Sequence, residues 1–89
     1  MKVSEQFILR EIAGEYILIP IGEKAISVKG LIALSESGAI LYRKLKDGCT
    51  REALVAALTA EYEVSELEAA QDIDAFLNQM RLLNMLVEE

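Results

Sequence analysis

The chain has 89 residues, of which 53% are hydrophobic, and its formal net charge is −6. A chain of this length is expected to form one small domain over residues 1–89, and its apolar content argues against disorder. The negative charge argues against nucleic acid as a partner, because phosphate binding requires a basic surface. There is no long apolar run and the first residues are polar, so neither a membrane span nor a signal peptide is expected.

Few side chains are available for catalysis or for metal binding. The sequence contains no histidine, and Cys49 is its only cysteine. It therefore cannot form a His/Cys metal site, a Ser-His or Cys-His nucleophile pair, or an internal disulfide. No glycine-rich nucleotide-binding motif occurs. We expect a non-catalytic protein without a cofactor, in a reducing, cytoplasmic setting.

The first part of the chain predicts strands joined by glycine turns. Phe7–Ile12 and Tyr16–Pro20 have strand-like patterns, and Tyr16–Pro20 is apolar on both faces, which is typical of a central strand. Leu31–Leu34 is predicted as the third strand, antiparallel to the second, and one of its edges should be free. Ala25–Val28 is a weaker strand prediction. It and Leu31–Leu34 could be one strand with a bulge at Gly30 or two short strands.

The remainder of the chain predicts three helices with clear capping signals. Ser35 is the expected N-cap of the first helix, which should run from about Glu36 to Lys46 and end at a left-handed Gly48. Thr50 is the expected N-cap of the second helix. The inward stripe of the second helix, at a spacing of three to four residues, should be Leu54, Val55, Leu58 and Tyr62.

The third predicted helix has the strongest signals. Ser65 and Glu68 form a capping box at its start, and Asn84 is suited to cap its end. Leu86 should then fold back as a closing hydrophobic contact. The inward stripe is expected to be Ala69, Ile73, Phe76, Leu77, Met80 and Leu83.

Three short strands followed by three helices predict an α+β fold, with the helices on one face of a three-stranded antiparallel sheet. The short link between the second and third helices is typical of a helix-turn-helix-like corner. DNA binding does not follow from that corner, because the exposed face of the third helix carries Glu66, Asp72 and Asp74. Phosphates would repel these carboxylates.

The order of these segments resembles the PqqD-like family, whose members are also called RiPP recognition elements. The stretch from Leu34 to Ala39, L-S-E-S-G-A, is similar to the family's L-N-E-T-G-A segment. Asp72 to Leu77 is similar to its D-V-x-x-F-L segment, and the resemblance extends over Phe7 to Val87. One departure is Asn84-Met85, where the family often has a glycine before the final leucine.

The resemblance implies a three-stranded sheet packed on three helices in a winged helix-turn-helix arrangement. It implies that this domain binds the leader region of a ribosomally made precursor peptide. It also implies delivery of that peptide to a modifying enzyme, often a radical S-adenosylmethionine enzyme. An extended peptide would add to the free edge of the third strand, and the third helix would form the other wall of the groove. The expected peptide-binding residues are Leu31, Ile32, Ala33 and Leu34 on the strand, and Ala69, Asp72, Ile73, Phe76, Gln79, Met80 and Leu83 on the helix.

Several alternatives stay open at this point. The apolar helix residues of that set could be core residues, and Asp72 a solvated one. The whole chain could be a winged-helix regulatory or protein-interaction domain, or a homodimer paired through its sheet edges. Cys49 is either an incidental loop residue or a thiol with a pKa lowered by the adjacent helix N-terminus. The basic residues between Arg43 and Arg51 form either a solvated helix face or a patch for an acidic peptide.

Overall fold

Strands occupy mainly the first part of the chain and the long helices the second, as the sequence predicts. The computed structural model describes residues 1–27 and 30–87. In chain order the described elements are β1 (Lys2–Val3), β2 (Phe7–Ile12), β3 (Glu15–Pro20), α1 (Lys24–Ser27), β4 (Ile32–Leu34), α2 (Glu36–Lys46), α3 (Arg51–Glu61), α4 (Glu66–Leu82) and β5 (Leu86–Val87).

The main sheet is three-stranded and antiparallel, in the order β2-β3-β4. Strand β3 is central, which explains why its sequence is apolar on both faces. Leu18 lies in the middle of β3, opposite Leu9 and Ile32, and is completely buried. The predicted α+β class and the three-stranded sheet are therefore confirmed.

The weaker strand prediction at Ala25–Val28 is wrong where the structure describes it. Lys24–Ser27 forms the single turn of α1, while Val28 lies outside the described residues. Two local hydrogen bonds hold this turn: Ala25 N–H donates to the Gly22 carbonyl and Ile26 N–H to the Glu23 carbonyl, each at 3.1 Å. A short apolar segment fits a helical turn as well as a strand, so its pattern did not separate the two.

The two ends of the described chain form a second, two-stranded sheet that the sequence did not predict. The first residues are mostly polar and show no strand pattern, but β1 pairs antiparallel with β5. Val3 lies opposite Leu86 and is only 5% exposed. Ser4 N–H also donates to the Met85 carbonyl at 2.7 Å. The predicted closing contact of Leu86 is confirmed, and its partner strand is β1.

The three long helices begin at the predicted caps. The hydroxyls of Ser35, Thr50 and Ser65 each accept a hydrogen bond from the backbone N–H three residues later, at 3.1–3.2 Å. Each bond satisfies one of the free donors of a helix N-terminus. The carboxylate of Glu68 contacts the Ser65 hydroxyl at 3.4 Å. Gly48 follows the end of α2 with φ +85°, as predicted for a left-handed cap.

The hydrophobic core lies between one face of the main sheet and the three long helices. The predicted inward stripe of α4 is confirmed, since its residues are buried apart from a half-buried Leu83. Tyr42 is buried as well, and its hydroxyl donates to the Phe7 carbonyl at 3.4 Å. Burial raises the pKa of the Tyr42 phenol. This bond joins α2 to the main sheet.

Polar contacts at the surface join the helices to one another. Arg51 makes two parallel hydrogen bonds of 3.0 Å to the carboxylate of Asp74, which link α3 to α4. This pair holds the pKa of Asp74 below its usual value. The hydroxyl of Tyr62 donates to the Glu36 carboxylate at 2.7 Å and so links the end of α3 to the start of α2.

Asn84 takes a left-handed conformation after α4, with φ 56°. Glycine has no steric penalty there, whereas alanine does. We expect Asn84→Gly to preserve or raise the free energy of unfolding and Asn84→Ala to lower it by about 1 kcal/mol. Urea unfolding measures both. Asn78 is a solvent-exposed residue in the middle of α4. There the alanine variant should be more stable than the glycine variant, because alanine favours a helix interior and glycine does not. The same order at both positions would contradict this role of Asn84.

The Tyr62–Glu36 hydrogen bond should make stability depend on alkaline pH. The bond raises the pKa of Tyr62 from 10.0 to about 12. Because the folded-state pKa is the higher one, the contribution of the protonated phenol is complete below pH 10.0 and is lost as the pH rises towards 12. The free energy of unfolding should therefore fall more steeply in this interval for the wild type than for Tyr62→Phe. Urea titrations at a series of pH values give the free energy of unfolding of both proteins. If these free energies fall in parallel between pH 10 and 12, the hydrogen bond between Tyr62 and Glu36 is contradicted.

Candidate functional site

Strand β4 is the edge of the main sheet. Among the described residues it pairs with β3 on one side and with no strand on the other. Backbone N–H and C=O groups of a strand point alternately to its two sides, so β4 presents unpaired groups along its outer side. An extended segment of another chain can form main-chain hydrogen bonds with such an edge.

A surface pocket of about 300 Å³ begins where β4 ends. The first turns of α2 form one of its walls, and the middle of α4 forms the other. This volume is at the small end of the range for ligand sites, about 300–1,000 Å³, and suits one or two side chains better than a cofactor. The residues that line the pocket are Ser35, Ser37, Gly38, Leu41, Asp72, Ala75, Phe76 and Gln79.

Gly38 allows the elements around the pocket to approach one another closely. A Cβ atom at this position would lie 3.2 Å from Ser35 Oγ and 3.6 Å from both Leu34 Cβ and Phe76 Cε1. These three atoms belong to the cap of α2, the end of β4 and the wall formed by α4. Of these distances, 3.6 Å is an ordinary contact and only the approach to Ser35 Oγ is tight. A side chain at position 38 would therefore press on the hydroxyl that caps α2, and glycine avoids this contact.

The predicted strand residues all lie at or beside the free edge. Ile32, Ala33 and Leu34 make up β4, and Leu31 directly precedes it. Their side chains alternate: Leu34 is buried and Ile32 half-buried on the core side, while Ala33 and Leu31 are exposed. Leu31 is 62% exposed, which is high for a large apolar side chain.

The predicted helix residues divide into two groups. Asp72, Phe76 and Gln79 line the pocket, and Phe76, 7% exposed, also belongs to the core. The other group is directed into the core: Ala69, Ile73 and Met80 are completely buried, and Leu83 is half-buried against them.

Sequence reasoning did not assign five of the lining residues to the site. Four of them, Ser35, Ser37, Gly38 and Leu41, come from the start of α2, and the fifth is Ala75 of α4. The segment that begins at Ser35 was recognised for its capping role, but nothing in its pattern showed that α4 would pack beside it. Ala75 lies one residue before Phe76, on the exposed side of the predicted stripe.

Other groups singled out in the sequence do not contribute to this site. Cys49 is partly buried, and this burial raises the pKa of its thiol, so the predicted alternative of a lowered pKa is wrong.

Arg43 lies over the Tyr16 ring at 5.4 Å, and Arg51 pairs with Asp74. Of the four basic residues from Arg43 to Arg51, which include Lys44 and Lys46, two are therefore engaged within the chain. In residues 1–27 and 30–87, no cluster of potential metal ligands and no helix able to span a membrane is found.

The fold and its open strand edge define a winged helix-turn-helix-like α+β domain. The family model for coenzyme PQQ synthesis protein D (PqqD) matches residues 15–86, and the chain belongs to this family. This match confirms the resemblance found in the sequence. No curated protein sequence matches the chain at a significant level.

Two solved structures share the fold over nearly the whole chain. One is TbiB1 in complex with the TbiA(beta) leader peptide, with a TM-score of 0.79 and 24% identity, covering 100% of this chain and 98% of that one. The other is lasso peptide synthetase B1 complexed with the leader peptide, with a TM-score of 0.78 and 21% identity, covering 98% and 96%. At these identities the likeness establishes a common fold.

The two groups of helix residues should respond differently to truncation. Ile73 is completely buried, so Ile73→Ala should lower the free energy of unfolding by about 2–5 kcal/mol. Gln79 is exposed at the pocket, so Gln79→Ala should change it by less than about 0.5 kcal/mol. Urea denaturation followed by circular dichroism measures both values. Equal losses for the two variants would contradict this division.

Proposed function

We propose that the chain is a non-catalytic recognition domain that binds the leader of a ribosomally synthesised precursor peptide. The leader adds to β4 as a fourth strand and is presented to a modifying enzyme. The observation that carries this proposal is the open edge of β4, which continues directly into the pocket between α2 and α4. Main-chain hydrogen bonds along the edge supply affinity, and the pocket accepts a side chain of the peptide.

The comparisons support the same function. The chain belongs to the PqqD family, and both similar structures are complexes with leader peptides. A peptide-modifying enzyme is the second partner that we propose, and radical S-adenosylmethionine enzymes are the class that the family resemblance favours.

The predicted site residues take two roles in this proposal. Leu31 to Leu34 supply the strand edge, chiefly through their backbones. Asp72, Phe76 and Gln79 contact the bound peptide from the wall of the pocket. Ala69, Ile73, Met80 and Leu83 support that wall from the core and do not touch the peptide.

An amide chemical-shift titration tests the proposal directly. The ¹⁵N-labelled chain is titrated with synthetic leader peptides from short precursors encoded beside its gene. Shifts should concentrate in β4, in the first turn of α2 and from Asp72 to Gln79. Shifts confined to α3, or none with any of these leaders, would contradict strand addition at β4.

Filling the pocket should weaken binding without unfolding the chain. Ala75 is exposed at the pocket wall, so Ala75→Phe places a large ring where the peptide side chain would enter. We expect its dissociation constant for the leader to rise about tenfold or more, which corresponds to about 1.4 kcal/mol. Asn78→Phe is the matched control, because Asn78 is exposed on α4 but does not line the pocket. Equal affinities for the two variants would sink the pocket as part of the site.

Two measurements separate this proposal from its rivals. Sizing chromatography at two concentrations shows whether a second copy occupies the β4 edge, since a homodimer formed there would dissociate when the leader is added. Binding to random duplex DNA at low salt tests the winged-helix alternative. Tight, salt-sensitive binding to DNA would favour a DNA-binding function over peptide recognition.

A further inference from the structure

We infer that the pocket between α2 and α4 selects a basic side chain, lysine or arginine, at one position of the bound peptide. This inference rests on the proposed function, because it names the side chain that the peptide places in the pocket.

The lower part of the pocket suits an aliphatic stem. Phe76 and Leu41 contribute apolar surface, and Gly38 has no side chain that would fill the space. Lysine and arginine have long apolar stems that pack on such surfaces while the charged group remains near water. An acidic side chain would instead meet the carboxylate of Asp72 at the rim, where like charges repel.

The charge at the rim is negative and uncompensated. Asp72 is the acid among the lining residues, and none of the described residues that line the pocket is basic. In the described part of the chain Asp72 has no ion-pair partner, whereas Asp74, two residues further along α4, is paired with Arg51. A peptide cation can therefore pair with Asp72 without competing with a contact inside the chain.

The neighbouring polar groups at the rim are suited to accept hydrogen bonds from a cation. Ser35 and Ser37 hydroxyls lie 3.2 Å apart, and the amide of Gln79 contributes a carbonyl oxygen. Glu36, the other acid of this region, is not among the residues that line the pocket, and one of its carboxylate oxygens accepts the Tyr62 hydroxyl. The charge selectivity is thus assigned to Asp72, and the remaining polar groups complete the coordination of an ammonium or guanidinium group.

A selection from a display library of random 15-residue peptides tests the inference and does not require the sequence of the natural leader. The wild-type chain is used as bait beside Asp72→Asn, and Asp74→Asn is the matched control that removes the same charge from the opposite side of α4. Wild type and Asp74→Asn should enrich peptides with lysine or arginine at one fixed position of an apolar strand pattern. Asp72→Asn should enrich the same strand pattern without that basic residue.

A synthetic peptide from the wild-type selection then measures the effect. Replacing its basic residue with norleucine should weaken binding to the wild type about tenfold. The same replacement should weaken binding to Asp72→Asn by less than about threefold. The difference between these two effects measures the coupling between the basic residue of the peptide and Asp72. Enriched peptides without a preferred basic position, or the same preference in Asp72→Asn, would overturn the inference and leave strand addition intact. If no peptide is enriched by the wild type, the proposed function fails and the inference fails with it.

Discussion

The whole site depends on the abrupt change from strand to helix at Ser35. Its backbone is extended, with φ −69° and ψ 169°, and its hydroxyl accepts the Gly38 N–H at 3.1 Å. Because this bond satisfies a free donor of the helix N-terminus, α2 begins directly after β4 without an intervening loop. The first turns of α2 therefore form a wall of the pocket that adjoins β4, whose outer edge pairs with no other described strand.

Local signals in the sequence predicted the parts of the fold that local interactions determine. The caps at Ser35, Thr50 and Ser65 are bonds between residues three apart, so a short window contains all the necessary information. The pairing of β1 with β5 joins opposite ends of the chain, and no short pattern encodes it. The turn of α1 was missed for a different reason: its few apolar residues fit a helix and a strand equally well.

The sequence also predicted only part of the candidate site, namely the face of α4 on which its residues lie. The helical period identified which residues of α4 share a face, but it could not show which part of that face another element covers. Ile73 and Phe76 belong to one stripe, yet Ile73 is sealed in the core while Phe76 reaches the pocket. The difference is made by the position of α2, whose first turns lie beside Phe76 and line the same pocket.

In the proposed mode of binding, the edge of β4 would supply affinity for the peptide and the pocket between α2 and α4 would supply selectivity. Hydrogen bonds along β4 involve backbone groups that every peptide possesses, so this edge alone would accept many extended sequences. The pocket is beside the edge, and its exposed members such as Asp72 and Ala75 contribute little to the core. In the proposed mode of binding, changes at these positions would therefore alter which peptide is preferred while β4 and the buried stripe of α4 stay the same. A small chain with a limited core can in this way change its partner without losing its fold.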